Sequence, residues 1–173
     1  GLQVFGPVRC RGASLDSVAL TFDDGPDPRG TPAVLAALAE HGARATFFVL
    51  GRQVRAWPEL ARAIVEQGHE IALHGHDHRV ARAFWRPAMS ADLARAEEAV
   101  HAVCGVRPRL YRPPAGVVVP SLLDVARARG LQVVGWSVRP GDGVRGSAAQ
   151  IAERVLGEAA AGDVVLLHDV PAA

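Results

Sequence analysis

Two adjacent carboxylates, Asp23 and Asp24, follow the apolar run Ser17–Phe22 and lead into Gly25-Pro26. Ionised and close together they would repel, and a cation would relieve the repulsion; taken alone, the pair reads first as an Asx turn. His74 and His78 stand four residues apart. On a helical turn or tight loop that spacing can bring both imidazoles to one metal ion, although an HxxxH pattern by itself is a weak signal. Together, Asp24, His74 and His78 offer three hard or borderline ligands and leave a coordination position for water. That is the pattern of a catalytic zinc-type site rather than a closed structural one. Asp23 would then act as general base on the water. If His74 and His78 converge, His76 points away from them and reads as a surface or alternate residue.

Three further groups fall at the ends of apolar runs. His168 follows Val164–Leu167 and shares a strand face with Leu166, two residues before it. It is either a capped core histidine or, beside a metal, a general acid for a leaving amine. Arg112 could pair with an aspartate and keep it ionised, or be a surface arginine. Asp142 could orient His168, as the third member of a triad orients its base, or belong to a Gly-Asp-Gly turn.

The elements that must position these groups alternate. Short apolar runs at Ser17–Phe22, Ala45–Leu50, His69–Leu73, Arg109–Tyr111, Leu131–Trp136 and Val164–Leu167 predict strands. Between them, helical periods begin at Thr31-Pro32, read as an N-cap with proline at N1, and cover Pro58–Gln67, Ser90–Cys104 and Ser121–Arg129. A last helix follows the capping box Ser147-Ala-Ala-Gln150. Continuous rather than alternating strands are buried on both faces, as in parallel α/β sheets and barrels. Functional sites in such folds lie at the C-terminal strand ends, and five of the six runs carry ionisable residues there.

Composition narrows the rest. The chain has 173 residues, 49% of them hydrophobic and 21% charged, so it reads as one globular domain able to bury a core. Nineteen basic residues, all arginine, balance 18 acidic ones for a net charge of +1. No basic patch points to nucleic acid or an anionic membrane surface, and no apolar run reaches the length of a membrane span. The absence of lysine excludes Schiff-base and P-loop lysine chemistry. Cys10 and Cys104 are too few and too far apart for a zinc knuckle or redox motif, and read as two buried free thiols rather than a disulfide.

The motifs resemble those of the polysaccharide deacetylases, carbohydrate esterase family 4. Thr21-Phe-Asp-Asp-Gly-Pro-Asp27 is similar to the first motif, His74–His78 to the second, and Tyr111-Arg-Pro-Pro-Ala-Gly116 to the third. Trp136-Ser-Val-Arg-Pro-Gly-Asp142 resembles the fourth and Leu166-Leu-His168 the fifth, in the family's order. The resemblance implies an α/β fold, a distorted (β/α) barrel of about six parallel strands. It also implies metal-dependent removal of N- or O-acetyl groups from a carbohydrate, in an extracytoplasmic or cell-envelope setting. Carried over by position, Asp24, His74 and His78 bind Zn²⁺ or another divalent ion such as Co²⁺, and Asp23 is the base tethered by Arg112. The Ala115 N–H helps hold the oxyanion, Asp142 supports the acid His168, and Leu166 lines the acetyl-methyl pocket. Residues 1–173 then form one catalytic domain, without the C-terminal helix and strand usual in the family and without an N-terminal signal or anchor. Either that tail lies outside this sequence, or the barrel is open with an exposed edge. Four positions depart from the family pattern. Gly75 stands for Ser or Thr, Ala115 for an aromatic, Gly143 for Trp and Arg139 for Asp. They leave open a chitin-like or peptidoglycan-like polymer, a smaller sugar conjugate, a non-sugar amide or ester, and an inactive sugar-binding homologue.

Overall fold

The computed structural model describes residues 8–12, 16–142 and 146–170. Six strands, β1 (Ala19–Asp23), β2 (Ala45–Val49), β3 (Glu70–Leu73), β4 (Leu110–Tyr111), β5 (Gln132–Val133) and β6 (Val164–His168), form one curled sheet. Their order is β5-β4-β3-β2-β1-β6, and every pairing is parallel. Helices α1 (Thr31–Glu40), α2 (Gly51–Ala56), α3 (Pro58–Glu66), α4 (Arg86–Cys104), α5 (Pro120–Ala128) and α6 (Ala148–Glu158) lie between the strands. Two short 3-10 turns cover Val80–Phe84 and Pro114–Gly116.

The pleat sorts the strand residues into two sets, because successive side chains point to opposite faces. Phe22, Phe47, Val49, Ile71, Leu73, Tyr111 and Val133 join Leu35, Ile64, Leu93, Val100 and Leu122 of the helices in the main core. Phe48, Ala72 and Val134 form a smaller apolar cluster on the other, inner face. Thr21, Asp23, His74 and Arg112 share that inner parity, so the inner face holds the polar groups alongside this small apolar cluster.

The α/β alternation and all six strands match the sequence reading to within two residues at most ends, but β5 is much shorter than Leu131–Trp136. Val134 still donates to Tyr111 O at 2.9 Å, and then the chain leaves β4 and Ser137 donates to Val164 O of β6 at 3.0 Å. Val138 bridges Val165, while Arg9 bridges Val134 and Arg11 bridges Asp163. Residues 137–138 and 9–12 therefore span the opening between β5 and β6. The incomplete barrel is thus a curled half-barrel of six strands whose opening, among the described residues, is bridged by irregular segments rather than by further strands.

Other local expectations are corrected. Thr31 is not the N-cap of α1; Gly30 is. The Thr31 hydroxyl instead accepts the Asp27 N–H at 2.8 Å and donates to Asp169 Oδ2 at 2.5 Å, pinning α1 to the end of β6. The six-residue α2 is too short to show a helical period in the sequence. Helix α4 begins four residues earlier than Ser90, at Arg86-Pro87, and ends on Gly105 in the left-handed region at φ 71°. The Ser147–Gln150 capping box forms as expected, with Ser147 N–H to Gln150 Oε1 at 3.0 Å and Gln150 N–H to Ser147 Oγ at 3.4 Å. No disulfide joins Cys10 to Cys104, and both are half-buried rather than buried.

Candidate active site

Strand register assembles the site. Asp23, the last residue of β1, lies opposite Phe48 and His168. One residue beyond β3, His74 donates its N–H to Val49 O at 2.8 Å, and Arg112, one beyond β4, donates its N–H to Leu73 O at 2.9 Å. Four consecutive strands and β6 therefore end on one rim, where β1 and β6 contribute their last residues, Asp23 and His168, and β3 and β4 the residues just after them, His74 and Arg112.

At the centre is Asp24, whose backbone has φ 77°. This left-handed conformation turns its carboxylate away from Asp23 and toward the histidines. Asp24 Oδ1 lies 3.6 Å from His74 Nε2 and 3.5 Å from His78 Nε2. One ligand atom from each of the three residues lies within 4.8 Å of the others. Asp24 Oδ1 is buried and has no hydrogen-bond partner. A buried carboxylate oxygen left unpaired is costly, and a cation between it and the two imidazoles would satisfy it. His74 Nδ1 lies 2.8 Å from Arg112 O. Only a protonated Nδ1 can donate to a carbonyl, so Nε2 keeps its lone pair toward Asp24, the arrangement typical of a ligating histidine. Burial holds His74 down to about 3, with the Asp24 charge opposing the shift, so the ring is neutral as ligation requires. The donor set of one carboxylate and two imidazoles fits a divalent zinc-like ion.

Asp23 is kept apart from that group. Its Oδ1 accepts from Arg112 Nη1 at 2.7 Å, and its Oδ2 sits 3.9 Å from His74 Nε2. Burial raises Asp23 to about 6, against the pull of Arg112. Arg112 is wholly buried. It also donates to Thr21 Oγ1 at 2.8 Å and to Gly135 O at 2.8 Å, and its guanidinium lies 4.0 Å over the Phe48 ring. Burial lowers Arg112 while its pairing with Asp23 opposes this, and an arginine stays charged under either influence.

On the other side, Asp142 Oδ2 accepts the His168 N–H at 2.6 Å, and its Oδ1 lies 3.1 Å from His168 Nδ1. That contact fixes the tautomer and raises His168 above the usual histidine value, with burial opposing. Leu166 is buried, two residues before His168 and opposite Thr21. Ala115 is the exposed residue of the Pro114–Gly116 turn, at φ 54°, between buried Pro114 and Gly116, where a Cβ would run into the Trp136 ring. Gly143 lies outside the described residues.

Two readings change. His76 does point away from His74 and His78, but it is not on the surface: its side chain is 12% exposed, against α2 and α4. The sequence reading also misses Thr21, which shares the parity of Asp23 and donates to Val165 O at 2.7 Å while accepting from Arg112. The parity of Thr21 with Asp23 is the available signal. In the sequence Asp169 shows only as the neighbour of His168. It is buried, pressed against Gly25 and Gly30, and raised to about 6 by burial.

The chain matches the model of the polysaccharide deacetylase family over residues 11–134. It belongs to that family. It is 40% identical over 159 residues to the chitooligosaccharide deacetylase of Sinorhizobium fredii, covering 91% of this chain and 74% of that protein. The fold is similar to a peptidoglycan N-acetylglucosamine deacetylase solved in complex with 4-naphthalen-1-yl-N-oxidanyl-benzamide. The TM-score is 0.88 at 33% identity, over 95% of this chain and 77% of the other. A family pseudoenzyme from Bacillus anthracis gives the same TM-score, 0.88, at 24% identity, over 96% of this chain and 60% of the other. The fold is thus shared with a pseudoenzyme, so activity has to be judged from the side chains at the rim.

Proposed function

We propose that this chain is a metal-dependent hydrolase that removes acetyl groups, N-acetyl before O-acetyl, from a glucosamine-containing glycan. The carrying observation is the rim geometry: the Asp24–His74–His78 cluster shares one rim with a separately anchored carboxylate, Asp23, and with a carboxylate-supported imidazole, His168, which pairs with Asp23 across β1 and β6. The names of the similar deacetylases support an acetylated sugar as substrate.

In this reading Asp24, His74 and His78 hold the ion. A bound Zn²⁺ or Co²⁺ would supply Lewis-acid activation of a water and of the acetyl carbonyl. Asp23, held by Arg112, takes the proton from the attacking water. The Ala115 N–H stabilises the charge developing on the carbonyl oxygen, and Leu166 contacts the acetyl methyl. His168 donates a proton to the departing amine, so that glucosamine and acetate leave. Asp142 keeps the His168 Nδ1 occupied and its Nε2 directed at the substrate, the role of a base-orienting carboxylate in a triad.

Acetate release from N-acetylglucosamine oligomers, before and after chelation, tests this reading. A strong chelator should abolish hydrolysis, and Zn²⁺ or Co²⁺ should restore it; undiminished turnover in excess chelator would exclude a metal mechanism. Acetylxylan as a parallel substrate separates N- from O-deacetylation.

The Asp142 contact gives a pH prediction. His168 must be protonated to act as an acid, so kcat/KM falls on the alkaline side as pH rises through its pKa. Asp142 raises that pKa. In Asp142→Asn the alkaline limb should therefore move to lower pH while the acidic limb, set by Asp23, stays in place. A pH–rate profile with both limbs unmoved would remove Asp142 from this role.

A further inference from the structure

Helix α4 carries an anomaly on its buried face. Its buried positions are Met89, Asp92, Leu93, Ala96, Ala99 and Val100, five apolar residues and one carboxylate. A carboxylate on a helix face packed into a core is costly unless every oxygen is used. Asp92 uses both: Oδ2 accepts the His76 N–H at 2.8 Å, and Oδ1 accepts from Arg82. His76 is the central residue of the loop that carries His74 and His78.

That loop is not self-supporting. Gly75 has φ 87° and His78 φ 55°, both in the left-handed region, where a histidine is uncommon and costs conformational energy. Gly75 has no side chain to brace the turn, and a Cβ there would come within 2.9 Å of Asp92 Oδ2. The carboxylate stands where a bracing side chain at position 75 would otherwise reach. From the opposite side Arg82 bonds Asp77 Oδ2 at 2.8 Å, and Arg95 bonds the same oxygen at 2.9 Å. The His74 end of the loop is fixed by strand register and by Arg112 O. The middle of the loop accepts two backbone bonds from α2, Gly51 N–H to Gly75 O at 3.0 Å and Arg52 N–H to His76 O at 3.2 Å; beyond His76, toward His78, the side-chain support is the Asp92–Arg82–Asp77 chain.

We propose that Asp92 is a positioning residue for the metal ligands: its hydrogen bond to the His76 N–H, anchored by Arg82, holds the loop so that His78 faces Asp24 and His74. This rests on the metal-dependent reading of the rim. Partners of this kind, one bond removed from the ligands, typically change metal affinity by about 10–100-fold.

The test is Co²⁺ titration of the metal-free protein, followed by the visible d–d absorption of the bound ion, with melting of the metal-free protein in parallel. The variants are Asp92→Ala, Asp92→Asn and Arg82→Gln. Asp92→Ala should weaken Co²⁺ binding at least tenfold. Asp92→Asn keeps an oxygen for the His76 N–H but loses the acceptor for Arg82, so its loss should match that of Arg82→Gln and stay well below that of Asp92→Ala. Arg82→Gln leaves the carboxylate in place but unanchored; it should speed hydrogen exchange of the His76 amide and weaken Co²⁺ binding at least threefold. Arg82→Gln keeps the test open if Asp92→Ala does not fold, because Arg82 lies toward the surface. Wild-type affinity in Asp92→Ala, equal losses in Asp92→Ala and Asp92→Asn, or unchanged exchange and affinity in Arg82→Gln would each overturn the inference while leaving the metal reading intact. A wild-type protein that takes up no Co²⁺ would overturn both.

Discussion

Asp23→Asn should lower kcat for acetate release by on the order of 10²–10⁴-fold, the range that a positioned general base contributes, without unfolding the protein. The amide oxygen of Asn can still accept from Arg112 Nη1, now 2.7 Å from Asp23 Oδ1, so the buried guanidinium keeps a partner. What disappears is an oxygen able to take up a proton. The amide keeps an acceptor for Arg112 but not its countercharge, so the melting temperature should fall, though by less than in a variant that also removes the hydrogen bond. The Asp24–His74–His78 group does not include Asp23, and on the proposed reading Co²⁺ affinity should therefore be preserved. Acetate release, melting temperature and Co²⁺ titration on one preparation check the three parts together. Turnover within tenfold of wild type would move the base function to another residue.

The largest effect on stability is expected at Arg112→Met. The methionine fills comparable volume beside Phe48 but leaves Asp23 buried with no countercharge, and takes the donors from Thr21 Oγ1 and Gly135 O. Removing one partner of a buried ion pair costs about 3–5 kcal/mol. In a chain of this length that corresponds to a fall of about 10 °C in melting temperature. Activity should fall for a second reason. Without Arg112, burial acts unopposed and the Asp23 pKa rises further; a base must be ionised to act, so residual activity should shift to higher pH. The double variant Asp23→Asn/Arg112→Met carries no uncompensated carboxylate and should recover part of the lost stability. The coupling term of that double-mutant cycle measures the pair. A melting temperature for Arg112→Met within a few degrees of wild type would show that the pair is not holding this rim together.

Legibility in the chain differs from residue to residue. Asp23, Asp24, His74, His78 and His168 can be picked out because each comes at the end of an apolar run, and the strands of a parallel sheet all deliver their C-terminal ends to one rim. The termini of the long helices are legible where one residue type decides them, as at Gly105 and Ser147. Helix α2 is not, because six residues span fewer than two turns and carry no period. His76 reads as surface because sequence spacing says which way a side chain points but not what it meets. In the fold it meets α2 and α4, elements that spacing within its own loop cannot reveal. Asp92 looks like ordinary helix charge, because nothing within α4 reveals that the His74–His78 loop packs on that face.

The sequence by itself determined the chemical inventory: which ionisable groups exist, that none is a lysine, that they stand at the ends of apolar runs, and that the runs alternate with helices. These are properties of local order and spacing. Only the tertiary structure decided which carboxylate faces which histidine. Asp23 and Asp24 are adjacent and chemically identical, and they separate because one ends a strand facing Arg112 while the other turns at φ 77° toward His74 and His78. The closing of the partial barrel was also a tertiary matter. Segments at 9–12 and 137–138 cross between β5 and β6, and such pairings join residues whose separation in the chain leaves no periodic trace.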